Sequence, residues 1–128
     1  MTCIVFDKKL PLIVVPVSIK IEDKIWIFDF AVDTGASISL IDIDVMATIG
    51  YQKKDCIKTT QTVTASKIET VYEFKVDNMR SLGITRRNFN VIARSLPIGL
   101  GIDGLLGLNF FKNKELTIDF KSSEIRIK

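Results

Sequence analysis

Phe30-Ala31-Val32-Asp33-Thr34-Gly35-Ala36-Ser37 carries an apolar strand into an acid, then a hydroxyl residue, a glycine and two small residues. This order reads as a carboxylate delivered by a rigid strand and held at the mouth of a tight turn. Gly35 permits a backbone conformation and a close approach that a Cβ would obstruct. Thr34 can bond a neighbouring turn through its hydroxyl. The N–H groups of Gly35 and Ala36 are then free to point at the carboxylate or at a ligand. Taken alone, the stretch also reads as an ordinary strand ending in an Asp/Gly turn.

Upstream, Leu12 to Ile21 and Ile25 to Val32 read as a hairpin around Glu22-Asp23-Lys24, with Pro11 and Pro16 suited to an edge or a bulge. In the second strand Trp26, Phe28, Phe30 and Val32 share one face, and Ile25, Ile27, Asp29, Ala31 and Asp33 the other. The strand is apolar on nearly both sides, as a buried one should be, and Asp29 reads as a solvent-side or interface residue. Downstream, Ile38 to Ile41 is a short strand and Asp42 a helix N-cap. Val45, Met46 and Ile49 make a core-facing stripe, and Gly50 ends the helix.

A second stretch lies about seventy residues further on: Ile102-Asp103-Gly104-Leu105-Leu106-Gly107-Leu108-Asn109-Phe110-Phe111. Two leucines between glycines precede an apolar helical turn. An Asp-Thr-Gly-Ala-Ser followed at this distance by apolar-apolar-Gly and a short helix resembles the retropepsin-like aspartic proteases, over essentially the whole chain. The resemblance implies an all-β fold, a small acid-protease barrel with one or two short helices, in a single domain spanning residues 1–128.

Composition agrees. A chain of 128 residues makes one domain. Hydrophobic content of 47% and charged content of 26% are those of a globular protein. The net charge of +3 comes from scattered pairs such as Lys8-Lys9, Lys53-Lys54 and Arg86-Arg87, without interleaved aromatic residues, so no nucleic-acid partner is expected. The chain has no histidine, which removes Ser-His-Asp and Cys-His catalysis and histidine metal sites. Cys3 and Cys56 form no metal or redox motif, and neither a metal nor a cofactor is expected. No apolar run approaches a membrane span and nothing resembles a signal peptide, so the expectation is a soluble, cytoplasmic protein with no membrane partner.

The remaining segments read as strand pairs. Cys56 to Thr64 and Ile68 to Val76 flank Ala65-Ser66-Lys67, and their many threonines predict a hairpin that projects from the core. The resemblance makes this the flap over the substrate, although flap tips usually contain glycine and this one has none. An ordinary surface hairpin is the alternative. Met79 to Ile84 and Asn88 to Ala93 pair around Thr85-Arg86-Arg87. Leu108 to Lys112 is expected as a short helix anchored by Phe110 and Phe111. Leu116 to Phe120 and Glu124 to Ile127 finish the chain around Lys121-Ser122-Ser123. Strand, turn, strand and short helix occur once before Gly50 and again before Asn113, as in a barrel built from two related halves.

Peptide hydrolysis by carboxylates needs a base to activate water and an acid to protonate the substrate. One aspartate cannot do both at once, and the chain has one Asp-Thr-Gly. The resemblance therefore implies a homodimer with Asp33 of each chain at a twofold axis, sharing one proton and titrating as a pair. It implies that Thr34 bonds across the axis and that Gly35 meets the substrate backbone. Ala36, Ser37, the flap residues Ala65, Ser66 and Lys67, and Asp103 and Leu105 would line the peptide groove. Viral members carry an acid at the Ser37 position and an arginine at the Leu108 position, paired with each other. Both are missing here, a coherent loss because removing one would strand the other charge. The alternative function is a peptide-binding or assembly domain of the same fold with little or no turnover. The terminal strands, Thr2 to Phe6 and Glu124 to Lys128, would expose unpaired backbone groups. The resemblance implies that they interleave with those of a second chain; pairing within their own chain is the alternative.

Overall fold

The computed structural model describes residues 1–63 and 65–128. Its first hairpin shows how period-2 patterning builds the barrel. Strand β1 (Thr2–Val5) is followed by β2 (Val14–Ile21) and β3 (Lys24–Val32), which pair antiparallel in unbroken register from Ile21↔Lys24 to Val14↔Ala31. Val15, Val17 and Ile19 of β2 alternate inward and are fully buried beside Phe30. β3 is buried on both faces only at its end. Ala31 is 2% exposed, but Ile25 and Ile27 are 64% and 72% exposed on the outside of the barrel. The expectation of a strand buried throughout thus holds only for the turn-proximal residues, where β8 (Gly104–Leu106) runs parallel alongside Phe30 to Val32.

After the Asp33 turn, β4 (Leu40–Asp42) leads directly into helix α1 (Ile43–Thr48). The Asp42 carboxylate accepts the Asp44 N–H at 2.9 Å, as its cap position predicts. At the other end Gly50, with φ +105°, lets its own N–H reach Ala47 O and the Tyr51 N–H reach Met46 O, which satisfies the last carbonyls. Met46, fully buried, pins the helix to the core.

Strand β5 (Lys58–Val63) pairs with the long β6 (Ile68–Ser81), which pairs in turn with β7 (Ile84–Arg94). The turn between β6 and β7 is Leu82-Gly83, both at positive φ (55° and 76°), the two-residue hairpin geometry that matches strand twist. Thr85-Arg86-Arg87, expected as a connector, lies inside β7. The polar run reflects an exposed strand face rather than a loop.

Strand order β2-β3-β8-β4-β7-β6, closed by pairing of β2 with β6, gives a six-stranded barrel, and β5 extends it beyond β6. Exchanging β2, β3 and β4 with β6, β7 and β8 maps every barrel pairing onto another, so the two halves are related by an approximate twofold. Phe30, Phe74, Phe110, Met46, Met79 and Leu106 fill the core between them. The second half ends differently from the first. Leu108 to Lys112 forms successive tight turns rather than the expected helix, with Phe110 N–H on Gly107 O and Phe111 N–H on Leu108 O.

The chain closes with β9 (Leu116–Asp119) and β10 (Glu124–Ile127). β10 lies between β1 and β9 in a three-stranded antiparallel sheet, with Ile125 and Ile127 buried. The C-terminal strand therefore has both edges occupied within its own chain. The free edges of this sheet belong to β1 and β9.

Candidate active site

Asp33 follows the last residue of β3, and its position is set by its backbone before its side chain. The Val32 N–H bonds Ile13 O and the Asp33 N–H bonds Leu106 O, both at 2.9 Å, so the strand is held on two sides where it ends. The chain then folds back on itself. Gly35 N–H donates to Asp33 Oδ1 at 2.9 Å, and Ala36 N–H donates to Asp33 O at 3.2 Å. Of the two N–H groups expected to be free, that of Gly35 orients the carboxylate and that of Ala36 closes the turn. A Cβ on Gly35 would lie 3.2 Å from Asp33 Oδ1, against the oxygen its N–H holds. Asp33 itself is half-buried, and its Oδ2 makes no hydrogen bond among the described residues. Thr34 is exposed, and its hydroxyl likewise finds no acceptor among them.

The second motif fixes this turn from behind. Leu108 N–H bonds Ala36 O at 2.8 Å and Asn109 N–H bonds Ser37 O at 3.2 Å. Gly107 is required by the closeness of the two loops: a Cβ there would stand 2.7 Å from Ala36 O and 2.9 Å from Ile38 C. Both contacts are backbone atoms that cannot swing aside. This is the physical content of the apolar-apolar-Gly pattern.

Three residues that the sequence did not single out complete the support. Ser39 is fully buried. Its Oγ donates to Asn109 Oδ1 at 2.8 Å and accepts from Gly107 N–H at 2.9 Å, while its own N–H also bonds Asn109 Oδ1 at 2.8 Å. Asn109 Nδ2 donates to Asn90 O at 2.8 Å. Every polar group of this buried knot has a partner, as it must have away from water. Behind it Arg86 donates from Nε and Nη2 to Phe110 O, at 3.0 and 2.8 Å, and from Nη2 to Lys112 O at 2.6 Å. A guanidinium thus takes carbonyls that a continuing helix would have satisfied. A serine in an apolar strand and an asparagine two residues past a glycine gave weak signals for the knot. Arg86 gave none, since it reads as one more surface charge.

The other expected site residues are distributed around this centre. Ala36 and Ser37 belong to the Asp33 turn. Leu105, half-buried in β8, lies between Ala31 and Leu40. Asp103 clamps strands: its Oδ2 accepts the Asp29 N–H at 3.0 Å, its N–H donates to Asp29 O, and its carbonyl accepts from Asp42. Asp29 is exposed, as expected. Ala65, Ser66 and Lys67 are exposed at the end of the β5–β6 hairpin, beyond the last pair Val63↔Ile68. Thr64, expected at the end of the first flap strand, lies outside the described residues. A hollow of about 300 Å³ that Lys67 helps to line, and a larger one of about 680 Å³ between Trp26 and Tyr51, do not include Asp33.

Comparison with known proteins follows the same lines. No curated protein sequence matches the chain. A retropepsin-like aspartic protease from Rickettsia conorii has a similar solved structure, at a TM-score of 0.69 and 19% identity, covering 98% of this chain and 96% of that one. At that identity the likeness speaks to the fold, and the fold is retropepsin-like. The family described as aspartyl protease matches residues 15–110, a span that starts in β2 and takes in both the Asp33 turn and the Gly107 turn. With the two motifs bonded to each other inside that span, the chain belongs to the aspartyl protease family.

Proposed function

We propose that the protein is an aspartic endopeptidase acting as a homodimer, with Asp33 of each chain supplying half of one catalytic pair. The observation that carries the reading is the half-buried Asp33 carboxylate, with Oδ1 held by Gly35 N–H and Oδ2 unbonded within the described chain. In the reaction one carboxylate takes a proton from water as its oxygen attacks the peptide carbonyl carbon. The partner carboxyl gives its proton to the carbonyl oxygen. Collapse of the tetrahedral intermediate, with protonation of the nitrogen, breaks the C–N bond. Thr34, whose hydroxyl finds no acceptor among the described residues, bonds the second chain across the axis. Gly35, Ala36, Ser37 and Leu105 line the groove, and Ala65, Ser66 and Lys67 close over it.

The pairing of β10 within its own chain changes how the dimer is held. The second chain meets the Asp33 turns and the free edges of β1 and β9, rather than inserting a strand beside β10. Deleting Glu124 to Lys128 would remove buried Ile125 and Ile127 from the core, so that truncation tests folding before it tests assembly.

Asp33→Asn tests the activity. The substitution keeps an oxygen for Gly35 N–H and removes the ionisable group. We expect hydrolysis of an unfolded protein substrate to fall by on the order of a thousandfold or more, with the melting temperature moved by only a few degrees. A folded Asp33→Asn protein with wild-type turnover rules the reading out. The glycine-free tip at Ala65-Ser66-Lys67 favours a second reading, a peptide-binding domain with little turnover. Peptide binding by the wild type without cleavage would select it.

A further inference from the structure

We propose that the hollow beside the root of the β5–β6 hairpin binds an acidic side chain of the peptide substrate, several residues from the bond that is cut. The proposal rests on the peptidase reading above and adds a substrate preference to it.

The hollow, about 300 Å³, is bounded by the start of β6, by Ile43 of α1, and by Arg94 and Ser95 where β7 ends. Its lining carries Lys53 and Arg94 beside one carboxylate, Glu69. Arg94 is the decisive member. It is half-buried, yet its guanidinium makes no hydrogen bond or ion pair among the described residues. Arg86, eight residues earlier in the same strand, makes three hydrogen bonds to two carbonyls. The carboxylate nearest in register to Arg94 is that of Asp42, and it is committed: Oδ1 holds Asp44 N–H and Oδ2 holds Leu96 N–H. Lys53 is pre-positioned, with Nζ 5.3 Å from the centre of the Tyr72 ring. The guanidinium of this half-buried residue has no protein acceptor among the described residues, and a carboxylate ligand would supply one.

Position favours a peptide as the bearer of that carboxylate. Asp42, paired with Arg94, bonds Asp103, which in turn pairs with Asp29, four residues before Asp33. Four residues of strand span about 13 Å, and three strand spacings separate β3 from β7. Arg94 therefore lies some 15–20 Å from Asp33, a distance an extended peptide covers in about five residues. The hairpin expected to cover the substrate forms one wall of the hollow.

The test uses peptides that differ only in carrying Glu or Gln at a single place, moved stepwise from three to eight residues on either side of the scissile bond. Binding is read by fluorescence anisotropy on the full-length protein, and KM and kcat are read in parallel. At one or two placements the Glu peptide should bind wild type about fivefold to tenfold more tightly than its Gln twin, the size of one charge-assisted contact. The gap should narrow as salt rises. Arg94→Gln should close it, while Arg94→Lys, which keeps the charge, should retain part of it. Binding that is equal for Glu and Gln at every placement overturns the proposal, as does a Glu preference that survives Arg94→Gln. If both peptides are cleaved with no difference, the hollow fails and the peptidase reading stands. If the Glu peptide is preferred in binding but neither is cleaved, the hollow stands and the peptidase reading fails.

Discussion

The two halves of the barrel share one topology and finish it differently. In the first half β3 ends in a seven-residue turn, Asp33 to Ser39, before β4 and a capped helix. In the second half β7 ends in a longer loop, Ser95 to Asp103, with neither an Asp-Thr-Gly nor a following helix. The half that carries the carboxylate holds it with the bonds within the turn and, on one side of the strand, with Ile13 O and β2. The rest of its support comes from the other half, through Leu106, Leu108 and Asn109. The half without a carboxylate has become the support, and Arg86 finishes its irregular end where α1 finishes the first half with Asp42 and Gly50. One chain thus builds one well-positioned acid.

The largest effect expected within a single chain comes from forcing the two halves apart. Gly107→Ala puts a Cβ 2.7 Å from Ala36 O, and because both neighbours are backbone the loops must separate. We expect a loss of about 2–3 kcal/mol in stability, read by chemical denaturation, and a loss of hydrolysis greater than the unfolded fraction explains. Unchanged stability and activity would mean that the halves do not depend on this approach.

A smaller effect is expected from the irregular end of the second half. Arg86→Met keeps much of the stem but leaves Phe110 O and Lys112 O without their donor. A cost of about 1–3 kcal/mol follows for hydrogen bonds to a charged group. If Arg86 also positions the Asp33 turn, kcat should fall more than KM rises, and Arg86→Lys should recover part of it. Equal changes in both variants would reduce Arg86 to a surface charge.

The smallest effect lies away from the site. The Ser122 and Lys121 N–H groups and Arg126 hold the Asp119 carboxyl below its ordinary 3.8, with Ser122 contributing most. The folded form therefore releases this proton more readily than the unfolded one. The stability it contributes is complete above 3.8 and is lost as pH falls through the lowered value. Asp119→Asn should remove that part of the acid dependence of unfolding and leave hydrolysis at neutral pH in place. An identical acid-unfolding profile for variant and wild type would contradict it.

How much of this was legible in the sequence depended on whether the cause was local. The Asp42 cap, the Gly50 stop, the hairpin of β2 and β3 around Glu22-Asp23-Lys24 and both turn motifs have their causes within a few residues, and each stands where expected. The helix expected at Leu108 to Lys112 had apolar spacing but no cap, and Arg86, distant in sequence, supplied a competing partner for its carbonyls. The Leu82-Gly83 turn was hidden because leucine at positive φ is rare, and β6 read as two strands in consequence. Ser39 and Asn109 meet across seventy residues, which no periodicity encodes. The pairing of β10 between β1 and β9 is equally a property of the folded chain.

The central claim is that a working site takes one Asp33 from each of two chains, and mixing tests it most directly. Wild type and Asp33→Asn would be combined in varied ratios at constant total concentration, equilibrated through a dissociating step, and assayed for hydrolysis. If both carboxylates are needed, activity falls as the square of the wild-type fraction, so an equal mixture retains about a quarter. A straight-line fall, with half the activity left in an equal mixture, would show that each chain works alone and would contradict the account.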